Sequence, residues 1–181
     1  MKPGIVFVML LLASHFGGAA AQAPQSDLRA RTNIFAIYPA LETQAKEYGD
    51  ADVRRDFERL LEMTWPKYVA RYGRENLLAD FAAGHEDLKK FGAQVVSWAP
   101  TEATQVIEDG GELYAVVATT LKVKAGEQTS DTRVCLIGIS EDRGEHWTFI
   151  SASCINVKDE FPAIAGKLAL CPEPVVVIKP R

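Results

Sequence analysis

The chain has 181 residues, of which 48% are hydrophobic and 24% are charged, and its formal net charge is −4. This composition is typical of one globular domain and excludes a disordered, collagenous or coiled-coil chain. The acidic balance argues against a nucleic-acid-binding protein, because such domains concentrate basic residues on one surface.

The first 21 residues have the pattern of a secretory signal peptide. A positively charged start precedes an apolar run from Ile5 to Leu12, and small residues lead to a cleavage motif formed by Ala19 and Ala21. Cleavage after Ala21 leaves residues 22–181 as a single domain with a C-terminal tail. The apolar run is shorter than the roughly 20 residues that span a bilayer. The sequence therefore predicts an exported protein, periplasmic or extracellular, with no membrane anchor after cleavage.

Residues 27–91 have the periodicity of three helices. Proline, glycine and capping residues set their predicted boundaries: 28–48 with a break at Pro39, a second helix from the cap Asp50 to Pro66, and a third between Gly73 and Gly92.

From Ala93 onward, alternating and β-branched residues replace the helical pattern. The predicted strands are Gln94–Trp98, Ala103–Glu108, Leu113–Val123, Thr132–Ser140 and His146–Cys154. Glycine-containing turns separate the later strands, so we expect antiparallel hairpins, with a short helix or loop at 159–168 and an apolar tail at 174–178. The predicted fold class is α+β, with three N-terminal helices packed on an antiparallel sheet.

The last hairpin indicates that both faces of the sheet are covered. A turn at Arg143 and Gly144 pairs Gly138 with Phe149 and Leu136 with Ser151, which leaves apolar residues on both sides. An antiparallel sheet with one wet face would alternate apolar with polar residues. We expect the helices to cover one face, and either the C-terminal tail or a second copy of the chain to cover the other.

Three cysteines, Cys135, Cys154 and Cys171, permit one disulfide bond in any of three pairings and leave one thiol. The hairpin register makes Cys135 and Cys154 diagonal neighbours, only marginally close enough for a bridge. A pairing of Cys154 with Cys171 is as plausible. The spacing contains no C-x-x-C and no neighbouring histidine cluster, so we expect no metal site and no activated cysteine.

Three segments carry a resemblance to a known family. They are Phe57–Tyr72 (FERLLEMTWPKYVARY), Glu86–Ser97 (EDLKKFGAQVVS) and Ser140–Ile150 (SEDRGEHWTFI). Together they resemble the nuclear transport factor two-like superfamily, which includes SnoaL-like and ketosteroid isomerase-like proteins, and within it a group of small exported bacterial proteins of unassigned activity. The resemblance covers residues 27 to about 162.

This resemblance implies a cystatin-like cone fold, in which a curved sheet wraps around the helices and encloses a pocket. It also implies frequent dimerisation through the sheet. The resemblance does not identify a reaction, because this fold occurs in enzymes and in non-catalytic binding domains alike. The acid pair and tyrosine of ketosteroid isomerase-like pockets have no matching positions in this chain.

The octapeptide Ser140–Trp147 also fits the pattern S-x-D-x-G-x-x-W, the Asp-box of sialidase-like propellers. One copy cannot build a propeller. We interpret it as a structural turn: Ser140 and Asp142 bind the turn backbone, Gly144 supplies a positive φ, and Trp147 covers the turn.

His85 is the strongest single candidate for chemistry, because it lies on the apolar stripe of the third helix and should face the interior. No carboxylate lies three or four residues from it to orient the imidazole. Aromatic residues nearby in the fold could line a pocket for an apolar ligand. The predicted lining residues are Trp65, Tyr68, Tyr72, Phe81, His85, Trp98 and Tyr114.

Our first hypothesis is therefore an exported, non-catalytic protein that binds a small apolar ligand or a protein partner, dimeric through its sheet. The alternative is a pocket enzyme of the isomerase, dehydratase or hydrolase type with His85 as acid or base. Both hypotheses involve no cofactor and no nucleic acid. They differ in whether the interior is open and whether His85 meets a carboxylate or a tyrosine hydroxyl there.

Overall fold

The computed structural model describes residues 33–171 and the backbone of residues 176–178. The predicted signal peptide and the start of the apolar tail lie outside the described residues. Within them, the chain is α+β, with helices preceding an antiparallel curved sheet, and the predicted fold class is confirmed. No helix in the described part of the chain has the length and apolar character needed to cross a membrane.

The helical region contains two long helices and several short ones. The bounds are α1 (Ile34–Ile37), α2 (Pro39–Arg54), α3 (Phe57–Glu62), α4 (Pro66–Tyr72), α5 (Arg74–Lys90) and, after the sheet, α6 (Val157–Glu160). Pro39 begins α2 at a position where its missing N–H costs nothing, so the predicted break is a boundary between α1 and α2. The third predicted helix corresponds to α5.

Two predicted helix boundaries are wrong. Asp50 does not cap a helix but lies inside α2, which continues to Arg54. The cap of α3 is Asp56, whose carboxylate accepts a hydrogen bond from the Arg59 amide at 3.1 Å. Pro66 begins α4 and does not end the preceding helix, which already stops at Glu62. Proline is tolerated equally after a helix and at the first position of a new one, so its presence alone does not distinguish the two.

The sheet has the strand order β1-β2-β3-β4, and β5 adds to β3 beyond β4. The bounds are β1 (Ala93–Asp109), β2 (Glu112–Ala125), β3 (Gln128–Ser140), β4 (Thr148–Ser151) and β5 (Val176–Ile178). The first two predicted strands are one strand, because register shifts on both sides of Pro100 absorb the proline without ending the pairing. The last hairpin has the predicted register, with Gly138 opposite Phe149 and Leu136 opposite Ser151.

One face of the sheet packs against the helices. Leu41, Ala45 and Ala51 of α2 are at most 1% exposed, and they contact alternate residues of β2 and β3 such as Val117 and Leu136. The contact is close: a Cβ on Gly49 would lie 2.5 Å from the backbone oxygen of Trp98. The space between α2 and the sheet is thus filled by side chains.

The opposite face is covered by the chain itself. Phe161, Ile164 and Leu168, in the segment after β4, pack against Ile137 and Ile150. The prediction that both faces are covered is confirmed, and the covering element is a C-terminal segment, residues 157–171, which precedes the apolar tail predicted to cover this face. The apolar second face of the sheet was the reason to expect a dimer, and the C-terminal segment covers that face. The homodimer therefore stays a prediction, without support from an exposed apolar face.

A disulfide bond between Cys135 and Cys171 fastens this segment to β3, with a Cα separation of 5.8 Å. Neither of the two pairings that involve Cys154 forms. After Ser151 the chain leaves the strand in a 3₁₀ turn, Ala152–Cys154, so the alternation that placed Cys154 beside Cys135 no longer applies. Gln105 adds a second fastening, since its side chain donates to Lys167 O and accepts from Ala169 N, both at 2.8 Å.

Candidate functional site

The candidate site lies beyond the end of β4, where α2, α4, α5 and the 3₁₀ turn supply polar side chains. We call Tyr48, Asp52, Tyr68, His85 and Cys154 the edge cluster. Tyr48 and Asp52 are four residues apart on α2, so both project from the same side of that helix. Tyr68 comes from α4, His85 from α5, and Cys154 from the turn after β4.

His85 and Asp52 form the best-defined contact of the edge cluster. Nε2 of His85 lies 3.1 Å from Oδ1 of Asp52, and the side chains are 8% and 14% exposed. An ionised carboxylate only accepts hydrogen bonds, so Nε2 donates its N–H to Asp52 and Nδ1 is the ring nitrogen left for another partner. The ring also lies beside Phe57, with centroids 5.4 Å apart. The carboxylate thus fixes the tautomer of a nearly buried imidazole.

Tyr48 brings a buried hydroxyl to the same place. It is 5% exposed, and its ring contacts Trp98 and Phe149 at centroid distances of 5.8 Å and 5.5 Å. Burial raises the pKa of Tyr48 strongly, and the charges of Cys154 and Asp52 raise it further, whereas a hydrogen bond with Thr64 lowers it. Tyr48 is therefore a neutral hydroxyl group at any physiological pH.

Cys154 is the free thiol of the chain, and the residue is exposed to solvent. Burial nevertheless raises the pKa of its thiol, with a smaller contribution from Asp52, while hydrogen bonds from Ser151 and Ser153 lower it. The thiol is protonated at neutral pH and is not an activated nucleophile.

Tyr68 completes the edge cluster from α4. Burial, followed by the charge of Cys154, raises the pKa of Tyr68 to about 12. Its ring lies 4.4 Å from that of Tyr72, whose hydroxyl donates to Glu160 at 2.5 Å. Tyr68 thus connects the edge cluster with the C-terminal segment through Tyr72.

These groups can recognise a ligand with one polar function. Two neutral hydroxyls, a neutral thiol and an imidazole held by a carboxylate offer hydrogen-bond donors and acceptors, and Phe57 and Phe81 add apolar surface. A few convergent polar groups among aromatic rings are typical of small-molecule sites. The same imidazole could also move a proton.

The seven residues predicted to line one pocket do not come together. Phe81 and Trp98 pack in the helix-side core, and His85 joins the edge cluster. Trp65 and Tyr114 lie on the opposite face, where both rings contact Phe161. Successive residues of a strand point to opposite faces, so Tyr114 of β2 and the helix-facing residues beside it cannot share a pocket. The prediction of a single aromatic pocket is wrong in this respect.

The residues assigned to the Asp-box turn all lie in one turn. Ser140 Oγ accepts from Gly144 N at 2.8 Å, Asp142 accepts from the amides of Glu145 and His146, and Trp147 Nε1 donates to Gly144 O at 3.0 Å. Gly144 has a φ of +98°. Asp142, Glu145 and His146 are close enough to share a metal ion, but Asp142 already accepts hydrogen bonds from the turn.

Sequence reasoning missed Tyr48 and Asp52. A predicted helix that continued past Asp50 would have placed Tyr48 and Asp52 four residues apart on one helix face, where they could be recognised as a pair. The carboxylate that orients His85 lies on a different helix, 33 positions earlier, and no local pattern could identify it.

Comparison of the chain with protein-family models and with curated proteins finds no match.

Proposed function

We propose that this chain is an exported member of the nuclear transport factor two-like superfamily that binds a small, mainly apolar ligand at the edge cluster without converting it. The observation that carries the proposal is the convergence of the exposed Cys154 thiol, the buried Tyr48 hydroxyl and the Asp52–His85 pair, whose electrostatic influence on one another places them together. Export is supported by the pattern of residues 1–21 and by the Cys135–Cys171 disulfide, since such bonds persist in oxidising compartments.

The thiol allows a direct test of the ligand site. Cys135 and Cys171 are bridged, so N-ethylmaleimide has one target, Cys154, and mass spectrometry verifies a single adduct. Nile red, a neutral apolar dye, serves as the probe ligand. We expect Nile red fluorescence to rise on binding, and the bulky adduct to block that rise.

A smaller adduct is the matched control. Methyl methanethiosulfonate adds only a thiomethyl group to the same sulfur, so it should reduce Nile red binding less than N-ethylmaleimide does. Dye binding that is unchanged by a complete N-ethylmaleimide adduct, or an absence of dye binding, would refute the apolar site at Cys154.

The Asp52–His85 contact favours a second candidate, an enzyme that moves a proton at carbon. Such an enzyme would use Nδ1 of His85 as the base, because Asp52 accepts the proton of Nε2. Deuterium uptake from heavy water into the α carbon of cyclohexanone, followed by NMR, tests this activity. His85→Gln should abolish uptake, and His146→Gln, at an exposed turn histidine, should leave it unchanged. No uptake above buffer would leave ligand binding as the function.

A further inference from the structure

A cleft that shares no lining residue with the edge cluster lies where three chain reversals meet. Its volume is about 400 Å³, and its charged lining residues are all basic. The described lining residues are Arg55, Lys89, Gly92, Ala93, Gln94, Lys124 and Gly126. They come from the residue after α2, the end of α5, the start of β1, the end of β2 and the turn between β2 and β3.

The backbone of this cleft is open to a ligand. Gly92 and Gly126 have positive φ angles of +66° and +58°, and a Cβ added at either would meet no atom within 4 Å. The missing side chains allow a ligand to approach both backbones closely. Phe91 N donates to Leu88 O at 3.0 Å and Gly92 N donates to Lys89 O at 2.9 Å, so Gly92 offers a ligand space and not a free N–H donor.

Two of the three cations at the cleft are weakly neutralised. Arg55 and Lys89 share one carboxylate, Glu86, at 3.6 Å and 3.7 Å, which is longer than a direct charge-assisted hydrogen bond. Arg55 also has a φ of +59°, at a helix end where glycine is the residue of lowest strain. An arginine at this position places a guanidinium group at the cleft in spite of the backbone cost.

An exposed aromatic residue stands at the same end of the molecule. Phe91, between Lys90 and Gly92, is 79% exposed. An exposed aromatic residue that follows lysines is typical of segments that touch the interface of an anionic membrane.

We propose that the Arg55–Lys89–Lys124 cleft binds a phosphate group, carried either by a soluble phosphate ester or by a lipid headgroup. Arginine and lysine side chains bind phosphate in proteins through charge-assisted hydrogen bonds, and the two glycines leave room for the group to approach. The Glu86 carboxylate competes with a bound phosphate for Arg55 and Lys89, two of the three cations. This site is independent of the function proposed for the edge cluster.

The first test is an NMR titration of the isotope-labelled protein, produced in an exporting host, with sodium pyrophosphate at constant ionic strength. We expect amide shifts at Gly92 and Gly126. Lys89→Gln combined with Lys124→Gln should weaken binding by about tenfold or more, whereas Glu86→Gln should tighten it. The matched control is Lys90→Gln, which removes the same charge from the same helix end at a residue paired with Asp87. It should change affinity by less than about twofold.

Vesicles distinguish the two sources of phosphate. Sedimentation with phosphatidylglycerol vesicles but not with phosphatidylcholine vesicles, lost in Phe91→Ser while pyrophosphate binding is retained, would assign a lipid headgroup. Pyrophosphate binding without vesicle binding would assign a soluble ester. Absence of both, or an equal loss of affinity in Lys90→Gln, would overturn the site.

Discussion

His85 of α5 and Asp52 of α2 are joined by a contact of 3.1 Å between the imidazole Nε2 and a carboxylate oxygen, although 33 positions separate them in the chain. Both side chains are largely buried and have lost hydrogen bonds to water. The contact between them replaces part of that lost hydration. The pair therefore links the two long helices at the edge cluster, whichever function that cluster has.

Removing one member of this pair should destabilise the fold. We expect His85→Leu or Asp52→Leu to lower the free energy of unfolding by about 1–3 kcal/mol, because the remaining polar group stays buried without its partner. The double variant should lose less than the sum of the two single losses. Urea unfolding measures all three. Strict additivity of the two losses would show that the side chains do not interact.

A matched control is Glu86→Leu, on the exposed side of α5 next to His85. Its surface ion pairs contribute little, so the free energy of unfolding should change by no more than about 0.5 kcal/mol. If Glu86→Leu lowered the free energy of unfolding as much as His85→Leu does, the destabilisation would come from changing α5 and not from losing the contact with Asp52.

The Cys135–Cys171 bridge should contribute strongly to stability. It closes a loop with a sequence separation of 36 residues, for which the chain-entropy model gives about 3–4 kcal/mol. Cys135→Ser combined with Cys171→Ser should lower the free energy of unfolding by this amount, and the reduced wild-type protein should match the double variant. Equal stability of the oxidised wild type and the variant would contradict the assigned pairing.

Stability should depend on pH through Asp142. Hydrogen bonds from the backbone and side chain of His146, together with one from Ser140, hold the pKa of the Asp142 carboxyl well below its usual value of 3.8. The folded-state pKa is the lower one, so this stabilisation is present above pH 3.8 and is lost as the pH falls through the folded-state value. Wild type should therefore exceed Asp142→Asn in stability at neutral pH, and the gap should narrow in acid. A gap independent of pH would rule out the charged contact.

Gly49→Ala should destabilise the protein although alanine favours helices. The added Cβ would lie 2.5 Å from the backbone oxygen of Trp98, which no side-chain rotation can relieve. The clash should cost about 1–3 kcal/mol beyond the gain of roughly 1 kcal/mol in helix propensity. Gly166→Ala, where an added Cβ meets nothing within 4 Å, is the control and should be nearly neutral in thermal unfolding. A stabilised Gly49→Ala variant would contradict the close packing of α2 on the sheet.

Gly49 also explains why one helix boundary was not predictable. Glycine followed by Asp50 has the local signature of a helix end and a new cap. The structure retains glycine there because α2 passes so close to Trp98, a contact made only in the folded chain. By contrast, the pairing of Gly138 with Phe149 was predictable, since alternation along two strands joined by a short turn fixes their register.

The candidate site was only partly predictable. His85 was identified from its place on an apolar helical stripe, which one helix suffices to define. Asp52 and Cys154 reach the edge cluster from other elements, and the position of Cys154 depends on a 3₁₀ turn that interrupts the strand. The pairing of Cys135 with Cys171 likewise depends on how the C-terminal segment returns across the sheet, which the spacing of cysteines does not encode.

Native mass spectrometry of the protein isolated from an exporting host, before and after alkylation of Cys154, tests ligand binding at the edge cluster most directly. We expect part of the untreated protein to carry a defined small-molecule mass, and the alkylated protein to carry only the adduct. The same spectrum shows whether the chain is a monomer or a homodimer. A retained molecule that survives complete alkylation, or a chain that carries nothing in either sample and binds no Nile red, would contradict a ligand site at Cys154.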